Sequence, residues 1–511
     1  MIKAINKYKL LHLPFIFLIV LLLYIRFLFI FSYSVDIDGL EYYFLHLVQE
    51  MLNGQRMYGN PMEFPYSINL YTPVYFYLFG ISVRLSNLNI YNDIHQMLVL
   101  GRMLSFSIVL LQLIYLVKLV RKFSTSTFIS IIVLALYLLF ISGHIYAVRP
   151  DALKILFFIM FVYYLTKSLF YSDKLLPVIL CLTISILAVY TKQDISIYIT
   201  LCFVVAFHIL RSKKVIRMYA TFVVLCLGMW VAIGLRYGSY IFQNMVLFNV
   251  QSVVGLAHSY NLIFIIFSLF RTLPLFFIVI LNHKKLKKTA DVSGGLKFIV
   301  QMSMILFPVT YLSLMRPGGN LNYTYELSVF LTINFGLFLH LNTDKINLHK
   351  KIYGGVLLIY VLFLVFTNGL VKSYYFDQDK QRSYKTEYYN YLRDRDSIKE
   401  IIQNDTIFFP NTKYSVFYFD KPVVLGHDMH LDRFIKLYTN LDSVFNTLTI
   451  KTTLPYINTK RYDDNFKDGT VKYIIIDSST ESVQHVSFYY PMYSPCRRVG
   501  NMLIYKYKHT M

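Results

Sequence analysis

Residues 10–41 read LLHLPFIFLIVLLLYIRFLFIFSYSVDIDGLE, an apolar segment that ends in the carboxylates Asp36, Asp38 and Glu41. About 20 consecutive apolar residues cross a bilayer, so this segment predicts a membrane span. It is too long for the apolar core of a signal peptide and lacks a small-residue cleavage site, so we expect it to be retained as an anchor. A group of acids therefore follows the first predicted span directly.

The same hydropathy continues along the chain. Of the 511 residues 56% are hydrophobic, and the mean hydropathy is +0.50, which is typical of a polytopic membrane protein. About eleven spans are predicted, near residues 10–34, 95–120, 127–147, 151–171, 174–191, 195–210, 217–235, 259–281, 296–315, 325–342 and 352–371. The predicted fold class is an α-helical polytopic membrane protein with a small C-terminal α/β domain, divided into residues 1–371 and 372–511.

The net charge of +22 reflects membrane topology rather than nucleic-acid binding. Lysines and arginines concentrate in every second loop, as the positive-inside rule requires, which predicts a cytoplasmic N-terminus and an extracytoplasmic tail. Localisation in a bacterial inner membrane is expected. Of the twelve carboxylates in residues 10–371, nine are predicted on the outer side: Asp36, Asp38, Glu41, Glu50, Glu63, Asp93, Asp151, Asp194 and Glu326.

The first outer loop, residues 36–94, is predicted to be structured. Apolar residues recur at helical spacing over 39–53, which indicates an amphipathic helix lying on the membrane and ending at Gly54. Pro73 opens a second apolar, tyrosine-rich segment. In the tail, strands are predicted at 406–409, 422–425, 471–476 and 502–505, and a helix at 397–403.

The acids after the first span could carry chemistry. A half-shielded carboxylate of Asp36 or Asp38 can act as a general base on an acceptor hydroxyl or amine. The alternative is that both acids mark the end of a helix in water. Glu41, one turn on, is either a partner of these acids or part of the polar face of the surface helix.

Outer cations form a second group of candidates. Arg149, in Arg149-Pro150-Asp151, lies on the side that excludes cations, so it needs a partner, which is either a phosphate or an acid such as Asp151. Lys192 could bind a lipid phosphate as a point charge, and an ion pair with Asp151 or Asp194 is the alternative.

The last outer loop offers further polar groups. Glycines after Arg316 allow close approach to a ligand, and the polar side chains that follow suit sugar hydroxyls or phosphate; a tight turn is the alternative. Those side chains are Asn320, Asn322, Tyr323 and Glu326. Inside the spans, Arg271 is a functional hypothesis by default, whereas Arg102 lies near an outer end and Arg26 is expected to extend outward.

No cofactor is expected. The histidines and the four cysteines form no metal-ligand or disulfide pattern, and a divalent cation is compatible with the sequence but not indicated. The chain also has no Walker loop or dinucleotide fingerprint, so a nucleotide-sugar donor bound from the cytosol is not expected.

The combination of motifs resembles the GT-C glycosyltransferases, in particular the bacterial branch of the protein O-mannosyltransferase and aminoarabinose transferase superfamily. The resemblance covers residues 1–371. It rests on an acidic motif after the first span, a Gly-Tyr turn, a Pro-aromatic segment and three later outer motifs: Asp36-Ile37-Asp38-Gly39, Asn53–Tyr58, Tyr71–Leu78, Arg149-Pro150-Asp151, Thr191-Lys192-Gln193 and Gly319–Tyr323. Some relatives place a lysine before the prolines of the aromatic segment, where this chain has Thr72.

The resemblance implies transfer of a sugar, with inversion, from a polyprenyl-phosphate donor to an extracytoplasmic glycan, lipid or protein. Asp38 or Asp36 would be the base. Four cations would bind the donor phosphate: Arg149, Lys192, Arg316 and Arg102. Seven residues would contact substrate: Glu41, Tyr71, Asp151, Asn320, Asn322, Tyr323 and Glu326.

Two other functions fit the composition. A transporter or flippase would place charges at mid-membrane in two repeats, but only Arg271 fits and no repeat is visible. A glycan polymerase of the cell envelope also uses embedded arginines, although the acidic first loop argues against it. Expected partners are the donor, the acceptor and membrane lipids, with no nucleic acid.

Overall fold

The computed structural model describes most of the helical part of the chain and parts of the tail. The described residues are 2–33, 40–54, 57–58, 69, 71–141, 143–238, 240–242, 259–288, 293–315, 321–342, 350–367, 378–409, 417, 423–425, 466–477 and 492–508. The main helices are α1 (Ile2–Ile30), α2 (Leu40–Leu52), α3 (Val74–Leu85), α4 (Ile94–Val120), α5 (Thr127–Phe140), α6 (Asp151–Thr166), α7 (Leu175–Val189), α8 (Ile195–Leu210), α9 (Lys213–Tyr237), α10 (Ser259–Lys288), α11 (Gly294–Leu314), α12 (Tyr325–Leu341), α13 (Lys350–Thr367) and α14 (Gln378–Ile402).

Each predicted span overlaps one of these helices, which confirms the helical membrane fold but not the number of spans. Among the described residues, seven helices are long and apolar enough to cross a membrane. Three others, α5, α7 and α8, have 14 to 16 residues. At 1.5 Å per residue they are about 21–24 Å long, shorter than a bilayer core of about 30 Å.

The C-terminal end of α5 is stabilised by two arginines. The last carbonyls of a helix have no partner within it, and a cation there also offsets the negative end of the helix dipole. Arg26 donates to the carbonyls of Leu138 and Ile141, and Arg271 donates to that of Leu139 at 2.7 Å. The prediction that Arg26 extends outward is wrong, because its side chain is fully buried at this helix end.

Helix α2 forms as predicted, but its polar face is not exposed. Glu41, His46 and Gln49 are all buried. The Gln49 amide donates to the Ile90 carbonyl at 2.8 Å, and the Phe44 ring packs on the aromatic rings at the start of α3. Hydrophobic periodicity identified the helix correctly, but it could not show that neighbouring segments cover the polar side as well.

In the described part of the tail, five strands form a mixed sheet. The strands β1 (Ile407–Phe409), β2 (Val423–Leu425), β3 (Tyr473–Asp477), β4 (Tyr493–Val499) and β5 (Met502–Tyr507) lie in the order β2-β1-β3-β5-β4. β1 pairs in parallel with β2 and β3, whereas β5 pairs antiparallel with β3 and β4. The four predicted strands are confirmed, but β4 was not predicted because Pro495 and two arginines interrupt its apolar pattern.

Helix α14 is longer than predicted and packs on the membrane helices. It begins at Gln378 rather than near Ser397, because its charged first half lacks the hydrophobic signal on which the prediction depended. Arg395 donates to the Tyr91 carbonyl at 2.7 Å, and the His95 backbone N–H donates to the Tyr388 hydroxyl at 3.1 Å. These bonds connect α14 to the start of α4.

Candidate active site

A buried ion pair joins α2 to α4. Arg102 donates Nε to Glu41 Oε1 at 2.9 Å and Nη2 to Oε2 at 2.5 Å, and both side chains are 0% exposed. Next to this pair, Gly101 permits α4 to pack closely on Val148, since a Cβ there would lie 2.8 Å from a Val148 methyl group. Glu41 also accepts the Val148 backbone N–H at 3.0 Å, so the pair fixes the chain immediately before Arg149.

The same arginine joins the two ends of the segment that carries Asp36 and Asp38. Arg102 donates Nη1 to the Ser32 carbonyl at 2.7 Å, while its other nitrogens bind Glu41. Residues 34–39, which include both aspartates, lie outside the described residues. The residues that flank this segment, Ser32 and Glu41, are nevertheless both held by the Arg102 side chain.

We expect Arg102→Met to lower the free energy of unfolding by about 3–5 kcal/mol, because it leaves the buried Glu41 carboxylate without its cation. Thermal and denaturant unfolding in a mild detergent would measure this. Adding Glu41→Gln should recover part of the loss, since glutamine can still accept from Val148. The control Arg393→Met removes an arginine whose side chain is 69% exposed, so it should change the free energy of unfolding little, and additive losses in the double variant would contradict the pairing of Glu41 with Arg102.

A second set of charges lies where α6, α8 and α12 begin. We call these residues the charge cluster: Asp151, Lys154, Lys192, Asp194 and Glu326. Lys192 Nζ lies 2.8 Å from Asp151 Oδ1 and 4.0 Å from Asp194 Oδ2. Lys154 Nζ lies 3.3 Å from Asp194 Oδ2 and 2.6 Å from Glu326 Oε1. The alternation of sign explains how three buried and two partly buried ionisable groups can lie together.

The sequence did not lead us to Lys154, although a signal was present. It lies in the first turn of α6, three residues after Asp151, so both side chains fall on one helix face. A lysine within an apolar span is itself a functional hypothesis. Its side chain is 1% exposed, against 12% for Lys192. Lys192 is therefore the more accessible of the two cations.

The Pro-aromatic segment positions a ring beside Lys192. The Val74 backbone N–H donates to the Tyr190 carbonyl at 3.0 Å, and the Thr72 hydroxyl donates to the Val189 carbonyl at 3.4 Å. These bonds satisfy carbonyls at the end of α7, two residues before Lys192. As a result, the Tyr71 ring centroid lies 6.0 Å from Lys192 Nζ, within reach of a cation–π contact.

Lys192 is surrounded by groups that keep it charged. Burial disfavours the ammonium, but the carboxylates of Asp151 and Asp194 outweigh it, so the pKa of Lys192 lies above its ordinary value. Burial raises the pKa of the Tyr71 hydroxyl to about 12, although the positive charges of Lys192 and Arg149 lower this pKa in part. At neutral pH the site therefore presents a lysine cation and a protonated phenol.

The short 3-10 turn before α12 contributes to the charge cluster. The Tyr323 ring centroid lies 5.8 Å from Lys192 Nζ, and the Asn322 amide donates to Asp151 Oδ1 at 3.5 Å. Two buried acceptor atoms, Asn322 Oδ1 and Asp194 Oδ1, receive no hydrogen bond from the described residues. Arg316 and Asn320 lie outside the described residues.

The structure thus places the predicted site residues in two groups. Asp151, Lys192, Asn322 and Tyr323 meet directly, and Lys154 links Glu326 to them. Tyr71 lies beside Lys192, while Arg149, 5% exposed, acts electrostatically on the Tyr71 hydroxyl. The second group is the Glu41–Arg102 pair. Within the described part of the chain, no group of three or more histidine, cysteine or acidic residues is placed to hold a metal ion.

Comparison with solved structures assigns this architecture. The chain is similar to ArnT from Cupriavidus metallidurans bound to undecaprenyl phosphate, with a TM-score of 0.59 and 11% identity over 97% of this chain and 98% of that one. The apo form of that protein gives a TM-score of 0.58 at 12% identity over 98% of each chain. The chain has a GT-C fold. The Archaeoglobus fulgidus oligosaccharyltransferase in its apo form is also similar, with a TM-score of 0.52 and 10% identity over 93% of this chain and 70% of that one.

The GT-C fold extends over nearly the whole chain, which is more than the resemblance in residues 1–371 implied. No model of a known protein family matches the sequence, and no curated protein sequence matches it. The fold is therefore recognised through the arrangement of helices, at a sequence identity that does not by itself identify a substrate.

Proposed function

We propose that the protein is an integral-membrane glycosyltransferase that moves a sugar from a polyprenyl-phosphate donor to an extracytoplasmic acceptor. The observation that carries the proposal is the charge cluster at the ends of three helices in a GT-C fold. ArnT, which shares this fold, was crystallised with undecaprenyl phosphate. A site with accessible Lys192 among aromatic rings suits the phosphate of such a lipid.

The proposed reaction is a single displacement at the anomeric carbon. The acceptor oxygen or nitrogen forms a bond to this carbon while the bond from the carbon to the phosphate oxygen breaks. The electron pair leaves with the phosphate, and the acceptor proton passes to Asp38 or Asp36. This route inverts the anomeric configuration and needs no redox partner or nucleotide.

In this reaction, cationic side chains would stabilise the leaving phosphate. Negative charge builds on the phosphate oxygen as its bond to the sugar breaks, and a preorganised cation there lowers the barrier. We assign this role to Lys192 and Arg149, with Arg316 from the last outer loop. Lys192 would exchange its contact with Asp151 for one with phosphate, while Lys154 holds Asp194 and Glu326 in place.

The neutral polar groups around Lys192 suit the donor sugar. Asn322, Asn320 and Tyr323 would contact sugar hydroxyls, together with Tyr71 and the acids of the charge cluster. The acceptor atoms Asn322 Oδ1 and Asp194 Oδ1 would then receive hydroxyl protons, which satisfies groups that are costly to bury alone. By contrast, the complete pairing of Glu41 with Arg102 supports a positioning role for both, in place of direct phosphate or substrate binding.

Membrane orientation follows from the charge pattern as part of the same proposal. The N-terminus would be cytoplasmic and the charge cluster would face the outer side of a bacterial inner membrane. The tail, residues 372–511, would be an extracytoplasmic domain that contributes to the acceptor side.

The observation that favoured a transporter has a structural explanation. Arg271 was the intramembrane charge that suited a transport path, yet it donates to the end of α5 and lies 5.5 Å from the Phe140 ring centroid. Its burial among these partners supports a helix-capping role. We therefore favour sugar transfer over transport and glycan polymerisation as the function of the protein.

The proposal is tested with purified full-length protein in lipid bilayers and a panel of radiolabelled polyprenyl-phosphate sugars. We expect consumption of at least one donor when a crude membrane extract supplies the acceptor. The product should carry the anomeric configuration opposite to that of the donor. If no donor is consumed, sugar transfer is refuted and the transporter and polymerase hypotheses take its place.

A further inference from the structure

A group of lysines and tyrosines lies at the ends of α4 and α6 that are farthest from the charge cluster. We call these residues the basic-aromatic patch: Tyr115, Lys118, Lys122, Tyr163, Lys167 and Tyr171. Helix α6 begins at Asp151 and has 16 residues, so a rise of 1.5 Å per residue places Lys167 about 24 Å from Asp151. The proposed transfer reaction does not use this patch, which in the proposed orientation lies at the cytoplasmic surface.

Two of the lysines converge on one aromatic ring. Lys122 Nζ lies 5.7 Å from the Tyr163 ring centroid, and Lys167 Nζ lies 5.9 Å from the same centroid. Tyr171 belongs to the π-helical turn Lys167–Tyr171 that continues α6, and its ring centroid lies 5.3 Å from Lys122 Nζ. The rings attract each cation, but the two ammonium groups repel each other. A bound anion that contacted both lysines would offset this repulsion.

The described part of the chain supplies no acid that neutralises these lysines. No ion pair joins Lys118, Lys122 or Lys167 to a described carboxylate. Asp173 is the nearest acid along the chain, and its Oδ1 lies 3.6 Å from Lys214 Nζ. A lysine near the C-terminal end of a helix offsets the helix dipole, but this role does not require two lysines at one ring. The patch therefore has positive charge that a ligand from outside the protein can neutralise.

The surface of α4 beside the patch favours a lipid as the source of the anion. Lys118 Nζ lies 4.6 Å from the Tyr115 ring centroid, and this ring packs edge to face on Tyr163 at 5.9 Å. Leu111 and Ile114 precede Lys118 by seven and four residues, so they lie on the same side of α4, and they are 46% and 50% exposed. An anionic phospholipid can place its phosphate on the lysines and its acyl chains along these apolar side chains, whereas free phosphate uses the lysines alone.

We propose that the basic-aromatic patch is a binding site for the headgroup of an anionic phospholipid. The lipid phosphate lies between Lys122 and Lys167, and Lys118 contacts further headgroup oxygens. The acyl chains follow the exposed apolar side of α4. A lipid bound in this way connects the end of α4 to the π-helical turn after α6. The inference does not depend on sugar transfer, because the patch shares no residue with the candidate active site.

Native mass spectrometry of the full-length protein in a neutral detergent tests the proposal. Uncharged micelles remove the general attraction of basic residues to an anionic membrane surface, so binding reports the patch itself. The probes are dioleoylphosphatidylglycerol, which is anionic, dioleoylphosphatidylcholine, which has no net charge, and inorganic phosphate. We expect the anionic lipid to bind more tightly than the uncharged one. Lys122→Gln/Lys167→Gln should raise the Kd for the anionic lipid by about tenfold or more, because it removes both cations from the phosphate.

The matched control is Lys174→Gln/Lys213→Gln, which removes the same charge from exposed lysines at the same end of the helices but outside the patch. It should leave the Kd unchanged, and Lys122→Arg/Lys167→Arg should retain binding because it keeps both cations. Thermal unfolding without lipid checks that each variant is folded. Equal affinities for the two lipids, or equal changes in the patch variant and the control, would refute the site. Displacement of the anionic lipid by equimolar inorganic phosphate would refute the lipid as its ligand.

Discussion

Lys192→Met is expected to lower kcat/KM for the lipid donor by about 10²–10³-fold, the usual effect of removing one preorganised group that stabilises developing negative charge. Lys192 is the more exposed lysine of the charge cluster, and two rings and two carboxylates hold its ammonium in place. Lys192→Arg keeps the charge but changes its geometry, so we expect an intermediate loss. Donor consumption at subsaturating donor concentration measures each effect.

Structural damage must be separated from lost chemistry, because Lys192→Met strands the buried Asp151 carboxylate. The double variant Asp151→Asn/Lys192→Met removes both charges and should unfold at a temperature near that of the parent protein. If Lys192 binds phosphate, the double variant stays far less active than Asp151→Asn alone. Recovery of activity in it would show that the cation only neutralises Asp151. Lys174→Met, at the exposed start of α7, is the control and should retain full activity.

Much of the membrane fold could be predicted because its signal is local. Hydropathy identified the spans, and the cations on the predicted outer side drew attention to Lys192 and Arg149. The contacts that the sequence did not predict join side chains to partners that are distant in sequence. Arg26 donates Nη2 to carbonyls more than 110 residues away, and no local pattern distinguishes it from an arginine that extends outward.

The candidate site shows the same limit. From the sequence, Lys192 could either form an ion pair or bind a phosphate. The structure shows the ion pair, with Lys192 Nζ 2.8 Å from Asp151 Oδ1, and phosphate binding by the same lysine stays a prediction. Lys154 was passed over because its partners Asp194 and Glu326 begin other helices. Glu41 and Arg102 were assigned to substrate and phosphate separately, since only the packing of α2 on α4 reveals them as a pair.

The largest effect is expected at the acidic motif. Asp38→Asn should lower the turnover of donor and acceptor together by about 10²–10⁴-fold if Asp38 is the base, with protein level and donor affinity unchanged. Asparagine keeps the size and polarity of the side chain but cannot accept the proton. Asp36→Asn is the matched control, and the variant with the larger loss identifies the base. Full activity in both variants would refute the assignment.

Arg102 provides an independent test of the same base. It binds the Ser32 carbonyl before the acidic segment and Glu41 after it, so its loss should misplace the base without removing it. We expect Arg102→Met to lower turnover but to keep the pH dependence of the parent protein, whereas Asp38→Asn should abolish the acidic limb of the pH profile. This difference follows because the limb reports protonation of the base in the enzyme–substrate complex. A pH profile that kept its acidic limb in both aspartate variants would show that the proton goes to another group.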